Sequence, residues 1–114
     1  MPKLELEFFD PQKEREWFRP DGYPEGVEQL TITEDKESGV FTRFLRFAPG
    51  TPATSRLSHE CWEEVYIIKG ELICDGNRYT AGMVAVRPPH MPHGPFSSEK
   101  GAMMFEVHYD SPND

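Results

Sequence analysis

Two histidines and a glutamate are spaced in this sequence as the ligands of a divalent metal ion often are. His59 and Glu63 lie four residues apart, directly before an apolar run that begins at Val65. Because side chains alternate between the two faces of an extended chain, His59, Cys61 and Glu63 are predicted to point the same way. Downstream, a second apolar run ends in a proline-rich segment that contains His93. Imidazoles and a carboxylate on one face form a donor set for a divalent metal.

Short apolar runs separated by glycine and proline predict that most of the chain forms β-strands. The 114 residues include 11 prolines and 9 glycines, which fall mainly between these runs. The predicted architecture is an antiparallel barrel or jelly roll of roughly eight to ten short strands. Strands are predicted at residues 27–33, 40–47, 65–68, 71–74, 78–80, 83–87 and 102–109.

The segments between and before these strands carry their own signals. The sequence predicts a reversal at Lys69–Gly70 and a tight hairpin turn at Asp75–Asn77. Residues 4–9 alternate apolar and acidic side chains and are predicted to form an edge or swapped strand. Residues 10–18 are predicted to form one helical turn with Asp10 as its N-cap, since Pro11 follows at the first helical position.

The two segments with candidate ligands resemble the two cupin motifs, G-x5-H-x-H-x3-E-x6-G and G-x5-P-x-G-x2-H-x3-N. His59 and Glu63 occupy the second-histidine and glutamate positions of the first motif, and Gly82, Pro88 and His93 match the second. The resemblance implies an all-β cupin double-stranded β-helix, which is a jelly-roll barrel. It also implies a metal ion held inside that barrel by His59, Glu63 and His93.

The sequence departs from the cupin pattern at three informative positions. Leu57 stands where the first motif has its first histidine, so one of the family's four usual ligands is absent. In the second motif His90 replaces the glycine and Ser97 replaces the asparagine. The resemblance covers residues 40–109, which we interpret as the barrel core of a single domain with residues 1–26 as an N-terminal extension.

Several other side chains are candidates to replace the missing ligand or to line the cavity. A thiolate binds zinc or softer metals, whereas a cysteine in a strand also serves as a small buried apolar residue. A histidine in the proline-rich loop reaches either the barrel mouth or solvent. The last strand offers a carboxylate and an imidazole on one face, directed either inward or toward the rim. These candidates are Cys61, Tyr66, His90, Glu106 and His108.

The identity of the catalytic carboxylate stays open at the level of sequence. Glu63 and Glu64 are adjacent, and a shift of one residue in strand register would exchange the two side chains between the faces of the sheet. Both are therefore candidates for a catalytic acid or base. Glu63 is the better metal ligand because its spacing from His59 matches the cupin motif.

Composition excludes several classes of partner. The formal net charge is -8, and an acidic surface repels nucleic acid and anionic membranes. No apolar signal core follows Met1 and no apolar run approaches the length of a membrane span, so a cytoplasmic protein is expected. Cys61 and Cys74 are expected to be reduced thiols. The expected partners are a small-molecule substrate and a second copy in a homodimer.

The favoured function is a metal-dependent cupin enzyme that acts on a small organic molecule. The loop at residues 87–96 resembles the cupin domains of anti-sigma factors and of acetylacetone-cleaving dioxygenases, which implies Fe(II) and dioxygenase-type cleavage of a C–C bond. Zn, Mn or Ni would also accept these ligands. The alternatives are a non-catalytic cupin that binds a small molecule or metal, and a metal-dependent isomerase, lyase or hydrolase.

Overall fold

The computed structural model describes residues 3–110 and consists mostly of antiparallel β-structure. One helical turn precedes the strands, and the Asp10 side chain caps it by accepting a hydrogen bond from the Gln12 amide at 3.0 Å. In the described residues no helix has the length and apolar character needed to cross a membrane. The elements are α1 Pro11–Glu14, β1 Val27–Asp35, β2 Val40–Phe47, β3 Trp62–Cys74, β4 Asn77–Thr80, β5 Val84–Arg87 and β6 Ala102–Tyr109.

The strands pair in the order β1-β2-β6-β3-β4, and β5 also pairs with β3. All of these pairs are antiparallel, as a jelly-roll barrel requires. This architecture confirms the predicted all-β cupin fold. The strands β2 and β6 have the predicted bounds, and the turn after Cys74 is a two-residue hairpin in which Asp75 and Gly76 both have positive φ.

The predicted reversal at Lys69–Gly70 is wrong, because β3 runs through it as one strand of 13 residues. Its first part pairs with β5 and β6 and its last part with β4. Gly70 has a φ of +83°, and a Cβ there would lie 2.7 Å from the Cα of Ala102. The glycine therefore permits a local shift in register and close packing against β6, where the sequence pattern had indicated a turn.

Two further strand predictions are also corrected. Residues 4–9 pair with no strand and are largely exposed, because an alternating pattern by itself supplies no partner strand. The described residues form six strands rather than eight to ten. Other segments pair only through isolated bridges, such as Leu57 with His93 and Thr51 with Ser98. Proline in these segments removes the amide donors that a longer ladder needs.

The hydrophobic core fills the concave side of the sheet. Val27, Leu45, Val65, Ile67 and Met104 are all less than 10 % exposed and belong to one cluster. The same inward face continues beyond this cluster toward the start of β3 and the end of β6, where the buried side chains become polar. A polar group buried beside an apolar core must find partners or a ligand.

Candidate metal centre

Strand register places five polar side chains in two adjacent rows of the sheet. In one row Glu63 of β3 pairs with Arg87 of β5 on one side and with His108 of β6 on the other. In a second row Glu106 of β6 pairs with Arg43 of β2. Side chains at positions i and i+2 share a face, so Glu106 and His108 both point into the barrel. The register thus assembles residues that are far apart in sequence.

Glu63 lies at the centre of this cluster and is 2 % exposed. Its Oε2 atom is 2.9 Å from His59 Nε2 and 3.2 Å from His108 Nε2. Its Oε1 atom is 2.6 Å from Arg87 Nη1 and 3.9 Å from His93 Nε2. Burial favours a raised pKa for Glu63, but the contacts with His108 and His59 outweigh it and hold the pKa well below its usual range. The carboxylate is therefore ionised.

His93 presents Nε2 to the cluster in a defined orientation. Its Nδ1 donates a hydrogen bond to the Met91 carbonyl at 3.0 Å, which leaves a lone pair on Nε2 of the neutral ring. Burial lowers the pKa of His93 and so favours this neutral form. Two backbone hydrogen bonds of 2.8 Å between Leu57 and His93 position the loop. Metal-binding histidines in proteins are commonly oriented through their second nitrogen in this way.

His108 is the most enclosed of the three imidazoles, with 1 % exposure. Its Nε2 is 3.1 Å from Glu106 Oε1, and its ring stacks on Phe41 at 4.1 Å between centroids. Burial alone would lower the pKa of His108, but its contacts with Glu106 and Glu63 outweigh burial and raise the pKa. Without a metal, the His108 ring therefore favours its protonated form, in which Nε2–H faces the carboxylates of both Glu63 and Glu106.

An ion pair behind His108 satisfies the second buried carboxylate. Arg43 Nε donates to Glu106 Oε1 at 2.8 Å, and both side chains are 5 % exposed. Arg43 also donates to Gln29 at 2.7 Å and to the Tyr23 hydroxyl at 3.2 Å. Burial alone would raise the pKa of Glu106, but the Arg43 charge and the contact with His108 outweigh burial and lower the pKa. Glu106 therefore stays ionised. Glu106 thereby faces His108 Nε2, the same nitrogen that lies next to Glu63.

The donor set fits a divalent cation, as the surroundings of His59 Nε2 indicate. Its Nε2 atom is buried and has no hydrogen-bond partner among the described residues, although Glu63 Oε2 is only 2.9 Å away. An imidazole lone pair facing a carboxylate requires a proton or a cation between the two atoms. His59, Glu63 and His108 place one ligand atom each within 4.8 Å of one another. The ring centroids of His59 and His93 are 4.9 Å apart, so His93 adjoins the same space.

The structure brings together most of the ligands that the sequence suggested. His59, Glu63 and His93 converge, as does His108 from the list of replacement candidates. Glu106 lies one step behind, within hydrogen-bonding distance of His108 rather than of His59. The Leu57 side chain borders the same interior gap as Glu63 and His93, at the position where the cupin motif has its first histidine.

Four of the suggested residues lie away from this convergence. Glu64 is exposed and accepts a hydrogen bond from Tyr109 at 2.7 Å, because the next residue in a strand points to the opposite face. Tyr66 shares that outer face and is 46 % exposed, so it does not line the barrel interior. His90 is exposed in the loop, with positive φ. Cys61 is a free thiol that lies 3.8 Å from His108 Nδ1, at the edge of the cluster.

Sequence reasoning did not single out Arg43, Gln29 and Tyr23. The signal for Arg43 was present, because it alternates with Phe41, Leu45 and Phe47 on a strand face that the structure buries. An arginine within such an alternation indicates a buried ion pair. Its partner Glu106 could be assigned only after the pairing of β2 with β6 was known.

Comparison with known protein families now places the chain. The model of the ChrR cupin-like domain matches residues 11–111. The chain belongs to this family. The search of curated proteins gave no match. The family assignment confirms the cupin resemblance that the two motifs indicated, although the first motif lacks one histidine.

Solved structures share the fold of this ChrR-type cupin at low sequence identity. An RmlC-like cupin from Shewanella frigidimarina has a TM-score of 0.72 and 20% identity, over 100% of this chain and 98% of that one. An acetylacetone dioxygenase from Acinetobacter johnsonii has a TM-score of 0.73 and 13% identity, over 93% and 74%. The complex of SigE with the anti-sigma ChrR from Rhodobacter sphaeroides has a TM-score of 0.62 and 20% identity, over 81% and 47%.

Proposed function

We propose that this cupin is a metal-dependent enzyme that acts on a small organic molecule. The observation that carries the proposal is the buried Nε2 of His59, which lies 2.9 Å from Glu63 Oε2 and has no other partner among the described residues. Nitrogen atoms of His93 and His108 surround the same carboxylate. Together they form a set of three imidazoles and one carboxylate, which is suited to a divalent transition metal.

We assign His59, Glu63 and His93 as metal ligands and add His108 as the imidazole that compensates for Leu57. Glu63 would bind through Oε2, since Arg87 already holds Oε1 at 2.6 Å. Fe(II) is favoured because it accepts this mixture of nitrogen and oxygen donors and leaves coordination positions free; Zn, Mn and Ni accept the same donors.

The fold neighbours support dioxygenase-type C–C cleavage as the specific reaction. Two solved neighbours are described as acetylacetone dioxygenases, one of them a tentative assignment. When bound, Fe(II) supplies the capacity to activate dioxygen. The chain's own residues keep the Glu63 carboxylate ionised, compensate the Glu106 charge with Arg43, and exclude water with the apolar barrel. Glu63 is also the catalytic carboxylate of choice, since Glu64 faces outward.

Elemental analysis of the purified protein tests the proposal directly. The wild-type protein is expected to contain close to one metal ion per chain, whereas His59→Ala and His93→Ala lose it. His90→Ala is the matched control, because His90 is an exposed loop imidazole and its loss leaves the metal content unchanged. Absence of metal in wild-type protein, persisting after reconstitution with iron, zinc, manganese and nickel, would contradict the proposal. Iron-dependent oxygen consumption would then distinguish a dioxygenase from a hydrolase.

A non-catalytic role in regulation is the second candidate. The matching family is described by the anti-sigma ChrR, and one structural neighbour is the complex of ChrR with SigE. This chain spans 47% of that neighbour's chain. In such a role the metal site would control binding to a partner protein. Metal binding without oxygen consumption or other turnover would favour this alternative.

We also propose that the protein is a homodimer, and a cytoplasmic location remains a prediction from the sequence. The outer β3–β5 face presents four exposed apolar side chains, Tyr66, Ile68, Val84 and Val86, next to Glu64 at its edge. Pairing of Tyr66 with Val84 makes these side chains contiguous. Solvent-facing positions of an antiparallel sheet are normally polar, so an apolar outer face marks an interface.

A single charge on this face is expected to separate the dimer. Val84 is 60% exposed, and Val84→Glu would place a carboxylate in the middle of the outer β3–β5 face. Sedimentation velocity is expected to show a dimer for wild type and a monomer for the variant. Gln12→Glu adds one carboxylate on α1, away from this face, and is expected to remain dimeric. A dimeric Val84→Glu variant would place the interface elsewhere.

A further inference from the structure

A cavity of about 330 Å³ opens between β3, β4, β5 and the loop at residues 91–96. We call it the side cavity. Its walls are mainly apolar and include Tyr79, Met83, Met91 and Phe96. The volume lies at the lower end of the range of small-molecule sites, and apolar walls with a few polar groups are typical of such sites.

The side cavity borders the proposed metal centre through Arg87 and His93. Both residues, together with Phe96, line the side cavity and also the small interior gap that Glu63 borders. A molecule in the side cavity would therefore lie next to the cluster. The gap itself is only about 30 Å³, which is too small for an organic substrate.

Arg87 gives the side cavity its chemical preference. Its side chain is 16% exposed, and its guanidinium lies 5.3 Å from the centre of the Phe96 ring. Among the described residues Arg87 donates one hydrogen bond, from Nη1 to Glu63 Oε1. A guanidinium has five N–H donors in a planar fork, so the remaining donors of Arg87 are available to a carboxylate in the cavity.

The charge balance of the barrel interior also favours binding of an anion in the side cavity, next to Arg87. The interior gap is lined by two arginines, Arg43 and Arg87, and two glutamates, Glu63 and Glu106, whose formal charges cancel. A divalent cation held with neutral imidazoles would leave two positive charges uncompensated. Excess charge in a water-poor interior is costly unless a counter-ion accompanies it.

A second arginine at the cavity rim extends this preference toward solvent. Arg56 is exposed and lines the same cavity, where Asp75 is the one acidic side chain in the lining. Asp75 is exposed in the β3–β4 turn, so solvent screens its charge. The buried end of the cavity, at Arg87, is where an anion would be held most strongly.

We propose that the side cavity binds a small organic carboxylate, with the carboxylate on Arg87 and the apolar body between Tyr79, Met83 and Phe96. This inference deepens the proposed function by naming a substrate class. Its charge argument rests on the proposed metal centre, whereas the free donors of Arg87 do not depend on a metal.

Calorimetric titration with benzoate and its neutral isostere benzamide tests this inference. Zinc-loaded wild-type protein is expected to bind benzoate at least about 10-fold more tightly than benzamide, because a charge-assisted hydrogen bond forms with the anion alone. Arg87→Met is expected to abolish that preference, and Arg87→Lys to retain part of it. Arg78→Met is the matched control, since Arg78 pairs with Glu71 outside the cavity.

The same titrations on metal-free protein separate the two proposals. Because Arg87 contacts Glu63, the metal content of every variant is measured alongside. Metal binding with equal affinity for benzoate and benzamide would overturn the carboxylate site and leave the metal centre standing. If the protein takes up no metal but still prefers benzoate in a way that needs Arg87, the carboxylate site would be supported and the metal centre contradicted. Absence of benzoate binding to both forms would overturn the inference.

Discussion

Replacing His108 by alanine is expected to lower the affinity for a divalent metal by at least about 100-fold. Loss of a residue that merely orients a metal ligand typically costs roughly 10–100-fold, and a ligand itself should cost at least the upper value. His108 Nε2 lies 3.2 Å from Glu63 Oε2, within the group that also contains His59. We expect it to supply the imidazole that Leu57 does not.

Anaerobic calorimetric titration with Fe(II) measures this effect. His108 is fully buried, so His108→Asn serves as a second variant that leaves a smaller cavity, and circular dichroism verifies that each variant is folded. The double variant His108→Ala/Leu57→His is expected to recover part of the affinity, because the Leu57 side chain borders the same interior gap.

Unchanged Fe(II) affinity in both folded His108 variants would contradict this assignment. The centre would then consist of His59, Glu63 and His93 alone, and the role of His108 would be to hold Glu63 by a hydrogen bond. Rescue by Leu57→His is the result that a purely structural role of His108 does not produce.

Replacing Glu106 by leucine is expected to lower the free energy of unfolding by about 3–5 kcal/mol. The reason is that Arg43, with 5 % side-chain exposure, would keep its charge but lose its ionic partner. Gln29 and Tyr23 would still accept its hydrogen bonds, but neither carries a negative charge at neutral pH. The cost thus comes from an uncompensated buried charge rather than from lost contact area.

The double variant Arg43→Met/Glu106→Leu is the matched control. Replacing a buried ion pair by apolar side chains of similar volume is often close to neutral, so we expect the double variant to recover most of the lost stability. Urea denaturation of metal-free protein gives all three free energies at the same pH. A double variant as unstable as Glu106→Leu would show that the pair stabilises by more than mutual charge compensation.

The stability lost on replacing Glu106 by leucine is expected to depend on pH, because the pKa of Glu106 is lowered in the folded state. A carboxylate whose pKa is lower in the folded state contributes stability above its unfolded pKa, and that contribution is lost as pH falls through the folded pKa. The Arg43 charge and His108 lower the pKa of Glu106 below its ordinary value. The difference in the free energy of unfolding between wild type and Glu106→Leu should therefore be largest near neutral pH and decrease in acid.

Most of the fold could be predicted from local sequence signals. Strands β2 and β6 have the predicted bounds because each is a mainly apolar run that begins directly after a glycine, Gly39 or Gly101. The Asp10 cap and the Asp75–Gly76 turn follow from side-chain and backbone preferences of those residues alone. The reversal predicted at Gly70 failed for a non-local reason: β3 continues through this glycine with a local shift in register because β6 packs closely against it, which no local signal indicates.

The sequence by itself indicated the cupin family, the candidate ligands His59, Glu63 and His93, and the strand face shared by Glu106 and His108. These depend on spacing along one chain segment and on the two-residue period of a strand. Only the tertiary structure decided that His108 approaches Glu63, that Arg43 neutralises Glu106, and that Glu64 faces outward. Each of those contacts crosses between strands, and cross-strand register depends on pairing between segments distant in sequence.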